Sequence, residues 1–381
     1  MSLPPLEARL AAFYFAFFSF SAAYVAYFPA YLAGRGFSAA NIALILALPQ
    51  LARIAAPAAW GALADRTGAH RGIVILSCAA MTAGFVLLPL AESVALVALL
   101  VCFGGIFSAG ALPLVEARTL GAVASPGRYG PIRLWGSIGF IAVVLGGGFW
   151  LERRSAADAP WALALFALLS LACAALFPPG EAPPCAERQA PRAWRVALPP
   201  GVAALLAAGI CMSAAHGALY AFFTLHLQQA GYAGGAIGAL WTIGVVAEIF
   251  VFALLPAIFR RFRLSAVLVF SFLCAAARFT AIAWAVDSLW ILCVAQVLHA
   301  ATFGTFHAAS LAVIQRVFPR SALARGQGLF SSVSYGAGGA AGALVAGWAW
   351  QAGGPEATFT LAAAFGLAGA YFARALRRFG L

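Results

Sequence analysis

Residues 61–71 read GALADRTGAHR, a short polar stretch with long apolar segments on both sides of it. Its distinctive members are two glycines, a carboxylate and two arginines: Gly61, Asp65, Arg66, Gly68 and Arg71. Charged side chains at helix ends interact with the helix dipoles and can cap those ends. The stretch therefore predicts a charged turn between two apolar helices, with Gly61 allowing a close helix contact.

Apolar segments of the same kind fill the chain. It has 381 residues, of which 64% are hydrophobic and 9% are charged, against about 25% charged in soluble domains. A membrane-spanning helix needs about 20 apolar residues. Twelve candidate spans follow: 9–33, 38–64, 72–90, 93–121, 130–150, 160–177, 199–229, 234–259, 264–285, 288–316, 325–349 and 355–376. This composition excludes a soluble enzyme, a disordered chain and a nucleic-acid-binding domain, and it predicts an all-α integral membrane protein.

The positive charges are distributed unequally between the two sides of these spans. The net charge is +12, and all 23 basic residues are arginines. Loops after even-numbered spans and the C-terminus are rich in arginine, whereas the opposite loops carry only Arg35, Arg153 and Arg154. Arginine-rich loops lie in the cytoplasm. We therefore expect a multi-pass protein of the bacterial inner membrane with both termini in the cytoplasm.

The chain also divides into two similar halves. Residues 178–198 are rich in proline and charge, which predicts a cytoplasmic linker between bundles at 1–177 and 199–381. The segments that begin at Gly36 and Gly231 are similar in sequence. Aligned at this offset of 195 residues, Arg53 corresponds to Glu248. This similarity indicates an internal repeat.

The 61–71 pattern of Gly, Asp-Arg, Gly and a basic residue resembles the signature of the major facilitator superfamily. That resemblance implies twelve transmembrane helices in two six-helix pseudo-symmetric halves, with the substrate site between them. A membrane enzyme and a non-transporting sensor are the other classes considered. The sequence has no nucleophile motif, no soluble output domain and no metal-ligand spacing among its seven cysteines, so we predict no enzyme activity, metal or cofactor.

Ionisable groups inside membrane spans are costly and are functional candidates for that reason. The deep candidates are Arg53, Glu116, Arg133, His216, His226, Glu248, Arg278, His299 and His307. Helical spacing places Gln296, His299, Phe303 and His307 on one face of span 10. We expect His226 to lie at the membrane interface and His216 to line the cavity.

Glu248 is the main candidate for proton coupling. It lies in an otherwise apolar span, where an unpaired carboxylate would hold a proton and pairing with Arg278 or a histidine would hold it charged. A carboxylate that alternates between these conditions suits a proton-coupled carrier. The alternative is a static ion pair between helices.

Longer segments resemble the phenylpropionate permease family. They are PLVE at 113–116, YGPIRLWGS at 129–137, WTIGVVAEIFVF at 241–252 and LHAATF at 298–303. More distantly, the chain resembles lactose permease, a sugar–proton symporter. These resemblances imply that Glu116 and Arg133 hold substrate and that Glu248, Arg278 and His299 couple it to protons. Two positions differ from lactose permease. That protein has a second acid where this chain has Thr302, and its Trp that stacks on the sugar ring corresponds to about Phe140 of this chain.

Three deep arginines exceed the two deep acids, Glu116 and Glu248, by one, which leaves one guanidinium for a substrate carboxylate. The predicted substrate-binding residues are Arg53, Glu116, Arg133, Phe140, His216, Arg278, Gln296 and His307. The sequence thus predicts a monomeric proton-coupled symporter for a small organic substrate, an aromatic carboxylate such as 3-phenylpropionate. A sugar or nucleoside symporter and a drug exporter remain open.

Overall fold

The computed structural model describes residues 5–122, 128–179, 198–319 and 322–381. Eleven helices in these ranges are long and apolar enough to cross a membrane. They are Pro5–Gly34, Ala39–Thr67, His70–Leu90, Val94–Ala122, Tyr129–Arg153, Ala156–Ala175, Val202–Gln229, Gly234–Arg261, Leu264–Trp284, Leu289–Val317 and Leu323–Phe379. The first ten match predicted spans 1–10 to within a few residues, and we number them accordingly.

The longest helix, Leu323–Phe379, contains two spans. Its backbone leaves the helical conformation at Gly353 and at Gly354, which has a positive φ of 69°, and Pro355 follows. The Thr358 hydroxyl donates to the Ala346 carbonyl at 3.5 Å, although twelve residues of straight helix would separate them by about 18 Å. The chain therefore reverses here into spans 11 and 12, and the prediction of twelve transmembrane helices is confirmed.

The spans pack as two groups. Span 1 packs on spans 5 and 6, and span 3 packs on spans 4 and 6; in the second half, spans 7 and 9 pack on the long 11–12 hairpin. Contacts between the groups run mainly through span 5 with span 8 and span 2 with span 11, as a two-fold pseudo-symmetric arrangement requires. Residues 180–197 of the predicted linker lie outside the described ranges, so the linker and domain boundaries stay a prediction.

Three spans have irregular backbone at membrane depth. Span 2 is two helices, Ala39–Ala52 and Ala56–Thr67, joined by a turn. Span 10 has a π-helical segment at Ala301–Thr305, and span 11 has another at Ser331–Gly338. Freed backbone groups inside a membrane must be satisfied by neighbours. The Ser332 hydroxyl accordingly donates to the Ile54 carbonyl at 2.8 Å, joining the break of span 2 to span 11.

The start of span 1 at Pro5 and the C-terminus lie on one face of the bundle, because an even number of spans separates them. We call this the terminal face and the opposite one the distal face. At the distal face spans 5 and 8 touch through backbone: a Cβ on Gly148 would overlap the Gly234 carbonyl, and one on Gly238 would overlap the Val144 carbonyl. The Glu152 carboxylate accepts a 2.6 Å hydrogen bond from the Gly235 amide, which caps the N-terminus of span 8. The distal face is therefore closed between the halves.

Candidate functional site

The second half contains a buried polar cluster around Arg278 of span 9. Arg278 is 0% exposed, and its guanidinium lies 5.3 Å from the centre of the Phe279 ring. Nη1 donates to the Thr302 hydroxyl at 3.2 Å, and Nη2 donates to the Gln296 side-chain oxygen at 3.0 Å. Neutral oxygens of span 10 therefore hold this cation in place.

Two histidines border the same cluster. His216 Nδ1 lies 2.9 Å from the Met212 carbonyl, which can only accept, so Nδ1 carries the proton; Nε2 lies 3.4 Å from the Thr302 hydroxyl. His299 stacks on Phe303, with ring centres 5.4 Å apart. His299 is almost wholly buried, whereas Phe303 is 38% exposed. Phe303 therefore separates the buried cluster from the space between the halves.

Glu248 of span 8 lies against the π-helical segment of span 10, where a Cβ on Gly304 would be 2.9 Å from its Cγ. Within the described ranges, no basic nitrogen lies within 4.0 Å of its carboxylate. The paired condition of Glu248 with Arg278 or a histidine, and with it the alternative of a static ion pair, is therefore absent among the described residues of this conformation; Arg278 bonds to Thr302 and Gln296 instead. Arg133 of the first half lies within electrostatic range of Glu248.

The first half contributes Glu116 and Arg133. Arg133 Nε lies 3.9 Å from Glu116 Oε1, and their side chains are 30% and 37% exposed. The Arg133 guanidinium lies 3.9 Å from the centre of the Phe18 ring and 5.5 Å from that of Tyr14. This pair joins spans 4 and 5 and is still about one-third exposed.

Arg53 lies at the break in span 2 and is exposed. Its Nη1 donates to the Gln50 side-chain oxygen at 3.2 Å, and it lies within electrostatic reach of Tyr220 and Tyr335 in the second half. The Tyr335 hydroxyl lies 2.7 Å from His307 Nδ1. Over the described ranges, no carboxylate lies within 4.0 Å of Arg53.

The structure brings together most of the predicted residues but arranges them differently from the sequence interpretation. Gln296 and His299 join Arg278, whereas His307 bonds to Tyr335; the π-helical segment between them interrupts the ideal spacing on which the predicted stripe relied. Phe140 is half-buried and packs on the core, while the rings beside Arg133 come from span 1. Sequence reasoning noted Thr302 only as a departure from lactose permease. It did not assign Tyr14, Phe18, Tyr220 or Tyr335 to the site, and of these only Tyr220, one turn after His216, had a positional signal.

The 61–71 turn also differs in part. Asp65 pairs with His70 at 3.2 Å. A Cβ on Gly61 would meet nothing within 4 Å, so the expected close helix contact there is wrong. Gly68 ends the helix with a φ of 68°. Arg71 reaches the end of span 6, where it donates from Nε to the Phe177 carbonyl at 2.7 Å and from Nη2 to the Ala175 carbonyl at 2.8 Å.

The remaining histidine in the described spans is His226. His226 is 3% exposed, bonds to the Ile282 carbonyl at 2.9 Å and stacks on Phe359. Spans 9 and 12 cover it near the distal end of span 7, which ends at Gln229, and its position at the membrane interface stays a prediction. Across the described residues, no three His, Cys, Asp or Glu side chains are grouped as metal ligands.

Comparison with known proteins places this geometry among transporters. The profile of the MFS_1 like family matches residues 8–361. A probable 3-phenylpropionic acid transporter of Escherichia coli (strain K12) is 34% identical over 232 residues, which is 59% of this chain and 60% of that relative. A maltose permease of Geobacillus stearothermophilus is 28% identical over 87% of this chain and 84% of its own.

Solved structures show the same fold. The crystal structure of a mutant form of the nucleoside transporter NupG superposes with a TM-score of 0.83 at 16% identity, covering 96% of this chain and 98% of that one. At this identity the likeness concerns the fold alone.

Proposed function

This chain belongs to the MFS_1 like family of major facilitator membrane transporters, and from that premise we propose that it is a proton-coupled symporter for an aromatic carboxylate such as 3-phenylpropionate. The observation that carries the proposal is one uncommitted charge of each sign between the halves. Arg53 is an exposed cation, and Glu248 is an acid without an ion-pair partner among the described residues.

The cation suits a carboxylate. A guanidinium binds a carboxylate through two parallel hydrogen bonds. Arg53 donates one side-chain hydrogen bond among the described residues, to the neutral Gln50 amide, so its other donors are available. The other deep arginines are more engaged: Arg133 pairs with Glu116, and Arg278 is buried among Thr302 and Gln296. We therefore assign the substrate carboxylate to Arg53, with the Tyr220 and Tyr335 hydroxyls beside it.

Aromatic side chains supply surface for a phenyl ring. Phe303 projects from the second half and is 38% exposed, and Phe18 is partly exposed in the first half beside Arg133. Ligand pockets combine such apolar walls with a few placed polar groups. The relation to the 3-phenylpropionic acid transporter agrees with this chemistry.

The remaining charges suit proton coupling. A carboxylate at membrane depth without a partner is neutral when protonated and is costly when charged. We propose that Glu248 takes the proton, that Arg133 with Glu116 and Arg278 orient the site, and that His299 adjoins the proton path. A monovalent carboxylate and one proton together carry no net charge, so the pH gradient alone drives uptake.

We also propose that the protein works as a monomer in the bacterial inner membrane, with its terminal face in the cytoplasm, and that it needs no cofactor beyond the proton gradient. The arginine-rich loops on the terminal face support this orientation. The Asp65–His70 contact and the Arg71 cap make the 61–71 turn a fixed part of that face, which supports a role in gating for Gly61, Asp65, Arg66, Gly68 and Arg71.

Substitution of Arg53 tests the carboxylate assignment. A hydrogen bond to a charged group contributes about 1.5–3 kcal/mol, so Arg53→Gln is expected to weaken 3-phenylpropionate binding about 10- to 100-fold. Arg53→Lys keeps the charge but loses the two-pronged geometry, so its loss should be smaller. The measurement is calorimetric binding to the purified protein, with Arg374→Gln, an exposed arginine in the last helix, as the control. Unchanged affinity in Arg53→Gln would assign the carboxylate to another residue.

Sugar symport is the second candidate, because the alignment with the maltose permease covers more of the chain than the other one does. A neutral sugar has no carboxylate for Arg53. Maltose that binds equally well to the wild type and to Arg53→Gln, in the absence of any 3-phenylpropionate binding, would favour this alternative.

A further inference from the structure

The polar cluster around Arg278 contains a cation with no counter-charge. The structure records no carboxylate oxygen within 4.0 Å of Arg278 among the residues it describes. The side chains that hydrogen-bond to the guanidinium are neutral: the Thr302 hydroxyl and the Gln296 amide. An unneutralised cation at membrane depth is costly.

Three nitrogens of this cluster also lack hydrogen-bond partners. They are Arg278 Nε, Gln296 Nε2 and His299 Nδ1. These residues are 0%, 1% and 8% exposed, so bulk water does not reach them. Arg278 Nε and Gln296 Nε2 are obligate donors, and His299 Nδ1 is one in the matching tautomer. An unpaired buried donor costs about 1–3 kcal/mol.

The cluster is a single connected unit. Arg278 bonds directly to Gln296 and to Thr302, and the Thr302 hydroxyl bonds to the His299 carbonyl at 3.2 Å. The unsatisfied donors and the unneutralised charge therefore belong to the same place between spans 9 and 10. A single anion next to these groups would satisfy both needs.

The missing anion must be small. Arg278 has no exposed surface, and the Phe279 ring lies beside its guanidinium, so a phenyl-bearing carboxylate does not fit. Each Nη atom donates one hydrogen bond, Nη1 to Thr302 and Nη2 to Gln296, whereas Nε has no hydrogen-bond partner.

We propose that this cluster is a structural binding site for a monovalent inorganic anion of the halide class, with chloride as the natural occupant. The ion accepts hydrogen bonds from Arg278, Gln296 and His299 and neutralises Arg278. It acts as a fixed counter-ion that holds spans 9 and 10 together beside the transport path. The proposal does not depend on the identity of the transported substrate.

Thermal unfolding of the purified full-length protein tests the site. Sodium chloride, sodium bromide and sodium gluconate are titrated at constant ionic strength. Binding to the folded state raises Tm, and we expect a saturable rise on the order of 2–4 °C in chloride and in bromide but not in gluconate. Equal Tm values in chloride and gluconate at all concentrations would overturn the proposal.

Two variants at one position separate a specific ion from a general salt effect. Thr302→Glu places a carboxylate beside Arg278 Nη1, so its Tm should no longer respond to chloride. Thr302→Gln has similar size and no charge, so it should keep the response. Radioactive chloride binding should show about one site per wild-type chain, displaced by bromide, and none in Thr302→Glu. A full chloride response in Thr302→Glu, or no specific chloride binding by the wild type, would contradict the assignment.

Discussion

Glu248→Gln is expected to abolish uphill accumulation of substrate while leaving exchange of substrate across the membrane. Glutamine has nearly the same shape as a protonated glutamate, so it fits against Gly304, but it cannot release a proton. A proton gradient of one pH unit supplies a factor of about ten, so one-to-one symport should concentrate 3-phenylpropionate about tenfold in the wild type. In the variant the inside-to-outside ratio should fall to about one.

The measurement uses radioactive 3-phenylpropionate in proteoliposomes with an imposed pH gradient, followed by counterflow in the same vesicles without a gradient. Glu356→Gln removes an exposed carboxylate near the turn between spans 11 and 12 and should behave as the wild type. Protein-free liposomes correct for passive entry of the neutral acid. Full accumulation by Glu248→Gln would transfer the coupling role to another group, of which Glu116 is the first candidate.

The second large effect is expected from Gly148→Leu, which should stop transport by keeping the distal face open. The carbonyl of Gly234 occupies the place of a Cβ at Gly148, and the Gly235 Cα would be 3.3 Å away. Backbone atoms cannot move aside as side chains do, so spans 5 and 8 must separate. The Glu152 cap on the Gly235 amide would then be lost as well.

Gly146→Leu is the matched control, since a Cβ at Gly146 meets nothing within 4 Å and lies two residues away on the same helix. It should transport normally, whereas Gly148→Leu should transport at background level. Ala43→Cys serves as a reporter, because Ala43 lies where span 2 meets Gly347 of span 11 and is 1% exposed. We expect this cysteine to react about tenfold faster with an impermeant thiol reagent when Gly148→Leu is also present. Transport by Gly148→Leu at the level of the control would show that this seam does not close during transport.

The fold was predictable because membrane insertion restricts the options. Every apolar run of sufficient length must be a helix, since hydrocarbon offers no other partner for its backbone. The helix interruptions were harder to foresee. The break at residues 53–55 of span 2 had a local signal, because Pro57 has no amide hydrogen to donate to the Arg53 carbonyl. The π-helical segments at Ala301–Thr305 and Ser331–Gly338 had none.

The site was predictable as a set of residues but not as a set of pairs. A charged side chain inside the membrane is energetically costly, and this cost alone marks five residues in the sequence as functional candidates: Arg53, Glu116, Arg133, Glu248 and Arg278. Which charges meet depends on helix rotation and on the π-helical segment of span 10, and these are properties of the packed bundle. The sequence offered Arg278 or a histidine as a possible partner of Glu248, whereas Thr302 and Gln296 hold that arginine.

The central claim is that one proton enters with each aromatic carboxylate, and proton movement tests it most directly. Proteoliposomes that contain the protein and an internal pH dye receive 3-phenylpropionate, and the acidification of protein-free liposomes is subtracted. We predict a protein-dependent acidification that saturates with substrate and is lost in Glu248→Gln. An active, folded wild-type protein that takes up 3-phenylpropionate without this acidification, or that shows no response to it at all, would contradict the claim.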